Sequence, residues 1–180
     1  LSRDEVKKEE ILRPQVPVEP YPYKSEEVTF RNASADITLA GTLTLPDQEG
    51  KFPAVVLITG SGPQDRNESL LGHKPFLVLS DYLTRQGIAV LRYDDRGVGQ
   101  SGGTFETATT ADFASDAASA MQYLMTRKDI DQKHVGLLGH SEGGIIAPIV
   151  AAESKDVSFI VLLAGTGIRG DSLLLLQQKL

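Results

Sequence analysis

Four uninterrupted apolar runs constrain any fold this chain adopts: Ala54–Ile58, Ile88–Leu91, Val135–Leu138 and Phe159–Leu163. A strand with one face in water alternates apolar and polar residues, whereas a run without alternation needs cover on both faces. Helical periodicity fills the gaps between the runs. Pro75–Arg85 sets Phe76, Leu79 and Leu83 on one face, with Gly87 as a stop. Thr110 is expected to cap a helix in which Phe113, Ala117, Met121 and Leu124 share a face, and Ile145–Glu153 forms a third helix. Upstream, Val28–Phe30 and Ile37–Leu45 alternate, which predicts an antiparallel hairpin across Asn32–Asp36. A hairpin followed by repeated β-α-β units implies an α/β domain with a mostly parallel sheet and helices on both faces.

Composition removes several chemistries. The 180 residues contain no Cys, so disulfides, thiolate metal sites and thiol nucleophiles are excluded. The formal net charge is −6, a poor match to a phosphate backbone, so no nucleic-acid partner is expected. No apolar run approaches the roughly 20 residues that span a bilayer. Nothing in the sequence calls for a metal or a cofactor.

Three glycine motifs compete for the functional site. Gly97-Val98-Gly99-Gln100-Ser101-Gly102 has the dinucleotide spacing, but that motif needs its glycines to open a helix, and Gly103–Thr107 has no helical period. Gly99–Gly103 and Gly139-His140-Ser141-Glu142-Gly143 both read G-x-S-x-G. Only the second has a buried strand before it and a helix after it. There a sharp strand-to-helix turn would hold Ser141 at a strained backbone angle with its hydroxyl exposed, and Gly139 and Gly143 would permit the close approach. Ser141 is therefore the candidate nucleophile, and Ser101 a turn residue. The Glu142 N–H, at the helix N-terminus, would face a developing oxyanion. A second donor is expected from Thr59-Gly60-Ser61-Gly62-Pro63, with the Ser61 N–H first and Gly62 next.

These residues resemble the α/β-hydrolase fold, and more narrowly the EstD-type bacterial serine esterases. The similarity is carried by Thr59-Gly60-Ser61-Gly62-Pro63-Gln64-Asp65-Arg66, by Tyr93-Asp94-Asp95-Arg96-Gly97-Val98-Gly99-Gln100-Ser101 and by Leu138-Gly139-His140-Ser141-Glu142-Gly143-Gly144. It implies hydrolysis of carboxylic esters through an acyl-enzyme. It also implies that Asp94, Arg96 and Gly97 brace the loop beside the oxyanion site. Gly62, His73, Asp65 and Arg66 are candidates to line the cleft. For Asp65, Arg66 and Glu68 the competing expectation is that mutual salt bridges pin the loop.

One departure is severe. In this fold the triad runs Ser, acid, His along the chain. His73, His134 and His140 all precede Ser141, and no His follows it. His140 is expected to point away from the hydroxyl and to bond within the sheet. The chain thus reads as the N-terminal part of a catalytic domain, truncated after about six strands, with triad acid and His supplied further on. Alone it should be nearly inactive on esters. A peptidase or thioesterase of the same fold, or a binding module that has lost the triad, are the alternatives.

Expected boundaries follow. Residues 1–25, charged and then proline-rich (Pro14, Pro17, Pro20, Pro22), form a linker, either a tether or a surface strap; 26–168 form the hydrolase part; 169–180, with Leu173–Leu176, start a cap or a sheet-covering helix. The proline spacer, the absence of an initial Met and the resemblance tilt towards an exported bacterial protein. Phe159–Leu163, left at a sheet edge, would favour self-association.

Overall fold

The computed structural model describes residues 13–178, so the charged opening segment through Glu10 lies outside the described residues. A single six-stranded sheet carries the molecule, in the order β1-β2-β4-β3-β5-β6. The strands are β1 (Tyr23–Asn32), β2 (Ile37–Pro46), β3 (Phe52–Ile58), β4 (Ala89–Tyr93), β5 (Ile130–His140) and β6 (Phe159–Leu163). The β1–β2 hairpin is antiparallel and joins β4 antiparallel through Gly41↔Tyr93 to Thr44↔Val90, while β4, β3, β5 and β6 run parallel. Three helices connect the parallel strands, α1 (Pro75–Arg85), α2 (Thr110–Thr126) and α3 (Gly143–Glu153), and α4 (Gly170–Gln177) follows β6.

The two faces of the sheet account for three of the four unbroken apolar runs; the fourth, Phe159–Leu163, forms the edge strand β6 and is exposed throughout, because no strand lies beyond it. Along β3, Ala54, Val56 and Ile58 meet α2 and α3 through Ala117, Met121, Leu124 and Ile146, whereas Val55 and Leu57 meet Phe76, Leu79 and Leu83 of α1. Val56, Leu91 and Leu137 are wholly buried. Burying such a side chain contributes about 1.5–3 kcal/mol, which is why the central strands tolerate no alternation.

Element ends differ from expectation where solvent blunts the hydrophobic signal. Strand β1 starts at Tyr23, ahead of Val28, because Lys24 to Glu27 pair with β2 while their side chains face largely outward. Strand β5 starts at Ile130, and its Gln132, Lys133 and His134 are exposed. Thr109, not Thr110, caps α2: its hydroxyl accepts from the Asp112 N–H and the Asp112 carboxylate accepts from the Thr109 N–H, a reciprocal box. Helix α3 starts two residues before Ile145, at glycines whose low helix propensity hides the first turn. The proline-rich stretch makes a turn, with Val16 N–H donating to Arg13 O at 3.0 Å, and Arg13 donates to Leu71 O at 2.7 Å. The Leu173–Leu176 run lies in α4, with Leu175 and Leu176 exposed. No described helix is long and apolar enough to cross a membrane.

Candidate functional site

The C-terminal ends of β3, β4 and β5 converge on the second G-x-S-x-G. At the end of β5 the chain reverses at Ser141 and enters α3. Ser141 sits at φ +51°, in the left-handed region that non-glycine residues rarely adopt. Its N–H donates to Leu163 O of β6 at 2.9 Å, and its carbonyl accepts from Gly144 N–H at 3.0 Å. The turn closes only because two neighbours lack a Cβ: one on Gly139 would overlap the Gly143 carbonyl, and one on Gly143 would overlap Ile58 O. Gly143→Ala is therefore expected to destabilise the domain by about 3 kcal/mol, measured by urea unfolding, since neither helix nor central strand can give way. Unchanged stability would mean that α3 does not pack this tightly on β3.

Opposite the turn lies the loop that leaves β3. A Cβ on Gly60 would stand 3.2 Å from Ser141 Cβ, so the loop backbone rests directly on the Ser141 side chain. Asp95, at the end of β4, anchors the loop. Its carboxylate accepts from Thr59 Oγ1 at 2.8 Å and from Gln64 N–H at 3.0 Å, while its own N–H donates to Gln64 O at 3.1 Å. Burial, reinforced by the charges of Asp116 and Glu142, pushes the Asp95 carboxyl up to about 7 against the bonds from Thr59 and Gln64. Among the described residues the N–H groups of Ser61 and Glu142 carry no hydrogen bond. The Glu142 side chain accepts from Thr110 Oγ1 at 2.8 Å, which ties α3 to the start of α2. A small cavity of about 10 Å³, near the minimum for one water, lies between loop and turn, with Thr59, Gly60, Gly62, Asp95, Phe113 and Glu142 in its wall.

The other candidates are dispersed. His73 lies away from this cavity, beside a groove with Lys74, Pro75 and Tyr82, and its ring is engaged by Arg13. Mutual salt bridges among Asp65, Arg66 and Glu68 do not form; each binds elsewhere. Arg66 pairs with Asp94 at 2.8 Å and with Glu27. Asp65 Oδ1 accepts from the N–H groups of Asn67 (2.9 Å) and Ser69 (3.0 Å), shaping its own turn. Glu68 accepts from Gly60 N–H at 2.7 Å.

Asp94 receives Arg66 Nε at 3.1 Å and the N–H groups of Arg66 (2.9 Å) and Gln100 (3.1 Å). Burial opposes its ionisation, but these bonds outweigh it and hold the carboxyl below the usual range. Arg96 reaches α2 instead, with Nε donating to Asp116 at 2.7 Å. Gly97 N–H donates to Gly102 O at 3.0 Å, closing the turn between them. Ser101, in the rival motif, is a brace: its hydroxyl donates to Asp94 O at 2.7 Å and accepts from Ala40 N–H at 2.9 Å.

The anchoring role of Asp95 escaped the sequence reading, where it was legible only as an acid ending a buried strand beside the glycine loop. Glu68 was expected to pin the loop, and it does, but through Gly60 N–H and His140 rather than through Asp65 and Arg66. All three histidines bind away from the Ser141 hydroxyl: His73 with Arg13, His134 with Asp131 at 2.7 Å, and His140 with Glu68 at 2.7 Å. His140 thus bonds to the loop rather than within the sheet. The Ser141 hydroxyl has no hydrogen-bond partner among the described residues.

Comparison with known proteins bears on the family and the fold. The profile of the family described as serine aminopeptidase, S33, matches residues 75–177. Esterase EstD of Thermotoga maritima is 34% identical over 138 residues, covering 77% of this chain and 32% of that protein. Human mitochondrial acyl-coenzyme A thioesterase 2 is 32% identical over 128 residues, covering 70% of this chain and 23% of that protein. The chain therefore spans a third or less of these two relatives' length. Among solved structures, a hypothetical protein of Pseudomonas aeruginosa superimposes with a TM-score of 0.70 at 24% identity, covering 82% of this chain and 44% of that one. A Pyrococcus furiosus esterase superimposes with a TM-score of 0.63 at 20% identity, covering 77% and 48%. A strand-turn-helix around a left-handed serine, set on this sheet order and matched by this profile, places the chain in the serine aminopeptidase S33 family as an EstD-type α/β-hydrolase.

Proposed function

We propose that this chain carries the nucleophile and oxyanion site of a serine hydrolase that cleaves carboxylic esters through an acyl-enzyme. The observation that carries the reading is Ser141 at φ +51°, at a strand-to-helix turn beneath the Gly60–Ser61 loop. A serine in that conformation presents its hydroxyl at the C-terminal edge of the sheet, where the α3 N-terminus favours negative charge.

In the proposed reaction the Ser141 oxygen attacks the ester carbonyl carbon. The carbonyl π electrons move to oxygen, and the resulting oxyanion accepts from the N–H groups of Ser61 and Glu142. The hydroxyl proton passes to a base and then to the departing alkoxide as its C–O bond breaks. Water repeats the sequence on the acyl-enzyme and restores Ser141. The base and its orienting acid are proposed to come from residues beyond this segment, since the described histidines are engaged elsewhere. A thioester in place of the ester is the second reading, favoured by the acyl-coenzyme A thioesterases among the relatives. Peptide cleavage follows the same steps, and a binding module would share the fold without the base.

A fluorophosphonate probe separates these readings. Ser141 should be labelled in a chain extended to include the base, and labelling should vanish in Ser141→Ala. No labelling in any length of the chain would support the binding module. Comparing p-nitrophenyl esters with acyl-coenzyme A then ranks ester against thioester.

The edge strand supports a further expectation. Each residue of β6 is 37–44% exposed, and β6 ends the sheet. Such an edge offers unpaired N–H and C=O groups flanked by apolar side chains. The 180-residue chain should self-associate at high micromolar concentration in sedimentation, and Val161→Lys should reduce it. A clean wild-type monomer would remove the proposal.

A further inference from the structure

We propose that Glu68 is a positioning residue of the site, tying the Gly60–Ser61 loop to the turn that carries Ser141. The inference rests on the reading of Ser141 as nucleophile. One carboxylate oxygen, Glu68 Oε1, accepts from Gly60 N–H and from His140 Nδ1, both at 2.7 Å. The first donor belongs to the loop and the second to the residue before Ser141. A Cβ on Gly60 would lie 3.2 Å from Glu68 Oε1, from His140 Nδ1 and from Ser141 Cβ, so all three groups crowd one point of the loop backbone.

The local chain is built to deliver this carboxylate. Glu68 is 6% exposed and sits at φ +52°, an uncommon conformation for a glutamate. The Asp65 turn produces it: Glu68 N–H donates to Asp65 O at 2.9 Å, while Asp65 Oδ1 caps the N–H groups on either side. Charge-assisted bonds of this length are the strong kind.

Two consequences follow for the chemistry. Gly60 N–H is occupied, so it is not an oxyanion donor; its bond instead orients the chain leading into Ser61, whose N–H is free. A bare carboxylate beside a developing oxyanion would repel it. A carboxylate only accepts, so His140 carries its proton on Nδ1, and that N–H turns the local charge inward. His140 therefore serves the nucleophile through Glu68, not as its base.

The test uses the chain extended to include the base. Glu68→Ala should lower kcat for a p-nitrophenyl ester on the order of 10²-fold, as misplacing an oxyanion donor by about 1 Å does, with KM nearly unchanged. Glu68→Gln keeps an acceptor oxygen and should recover most of the loss. His140→Ala should show a similar fall, and the double variant should cost no more than the worse single one. Amide exchange at Gly60 should speed up in Glu68→Ala and not in Glu68→Gln. Should Glu68→Ala fail to fold, His140→Ala and Glu68→Gln carry the same comparison. Wild-type kcat in both single alanine variants, or equal losses in Gln and Ala, would overturn the proposal. Absence of Ser141 labelling in the wild type would instead bring down the nucleophile reading and this role with it. Gly60 exchange would still report whether the tie exists, so the two failures are distinguishable.

Discussion

Replacing Ser141 by alanine in a chain that includes the base is expected to reduce ester turnover by about 10⁴–10⁶-fold, leaving what binding and oxyanion stabilisation provide. The 180-residue chain by itself should already sit near that floor, so Ser141→Ala in it should change little. The reason is additive failure: nucleophile and base act as one unit, and removing either removes almost the whole effect. In the proposed mechanism the Ser61 and Glu142 N–H groups polarise the carbonyl, but none of the described histidines bonds to the hydroxyl it would have to deprotonate. The measurement is p-nitrophenyl ester hydrolysis for four samples, short and long chains with and without Ser141. Turnover by the short chain within tenfold of the long one, abolished by Ser141→Ala, would show that a base exists within these 180 residues.

The second large effect concerns Asp95. Its carboxyl is pushed up to about 7 in the folded state against 3.8 for the free side chain, burial being the main cause. The folded protein thus holds this proton more tightly than the unfolded chain. Asp95 costs nothing below pH 3.8, where both states are protonated. From pH 3.8 to about 7 the unfolded state ionises first, so stability falls as pH rises, and above 7 the loss is constant. The full loss is about 4 kcal/mol at 1.36 kcal/mol per unit. Asp95→Asn removes it, and the hydroxyl of Thr59 can turn to accept from the new amide while the amide oxygen keeps the Gln64 N–H. Other acids oppose the trend: Asp94, Asp112, Asp129 and Asp131 all sit below their usual range and add stability as they ionise. The quantity to measure is therefore the difference between variant and wild type in urea unfolding, at pH 4 and pH 8. The variant should gain relative to the wild type as pH rises. A difference independent of pH would mean that Asp95 ionises normally.

The cost of burying Asp95 is set against what it holds. It fixes both ends of the Thr59–Gln64 loop, through the Thr59 hydroxyl and the Gln64 peptide. A neutral residue could make the domain more stable, while a charged one grips the loop with stronger bonds. Stability and loop anchoring pull in opposite directions here.

The comparison of the two G-x-S-x-G motifs shows how far local pattern reaches. Context alone separated them: a buried run before, a helix after. The structure gives Ser141 the left-handed turn and Ser101 a buried bridge between Asp94 O and Ala40 N–H. Local pattern failed where function depends on partners from distant segments. His140 bonds to a residue 72 positions away, and Arg66 to one 28 away, neither of which any spacing rule connects. Polar strand ends such as Lys24–Glu27 were invisible for a different reason, because exposed side chains leave no apolar trace of a paired backbone.

What the sequence alone determined is whatever hydrophobic period and glycine chemistry encode locally: the strands, three of them buried, the helices between them, and the bend at Ser141. Tertiary structure decided the rest. The insertion of β4 between β2 and β3, the seat of Asp95 under the loop and the joining of Glu68 to both Gly60 and His140 arise only when remote segments are brought together, because a hydrogen bond is specified by where two groups end up and not by how far apart they lie in the chain.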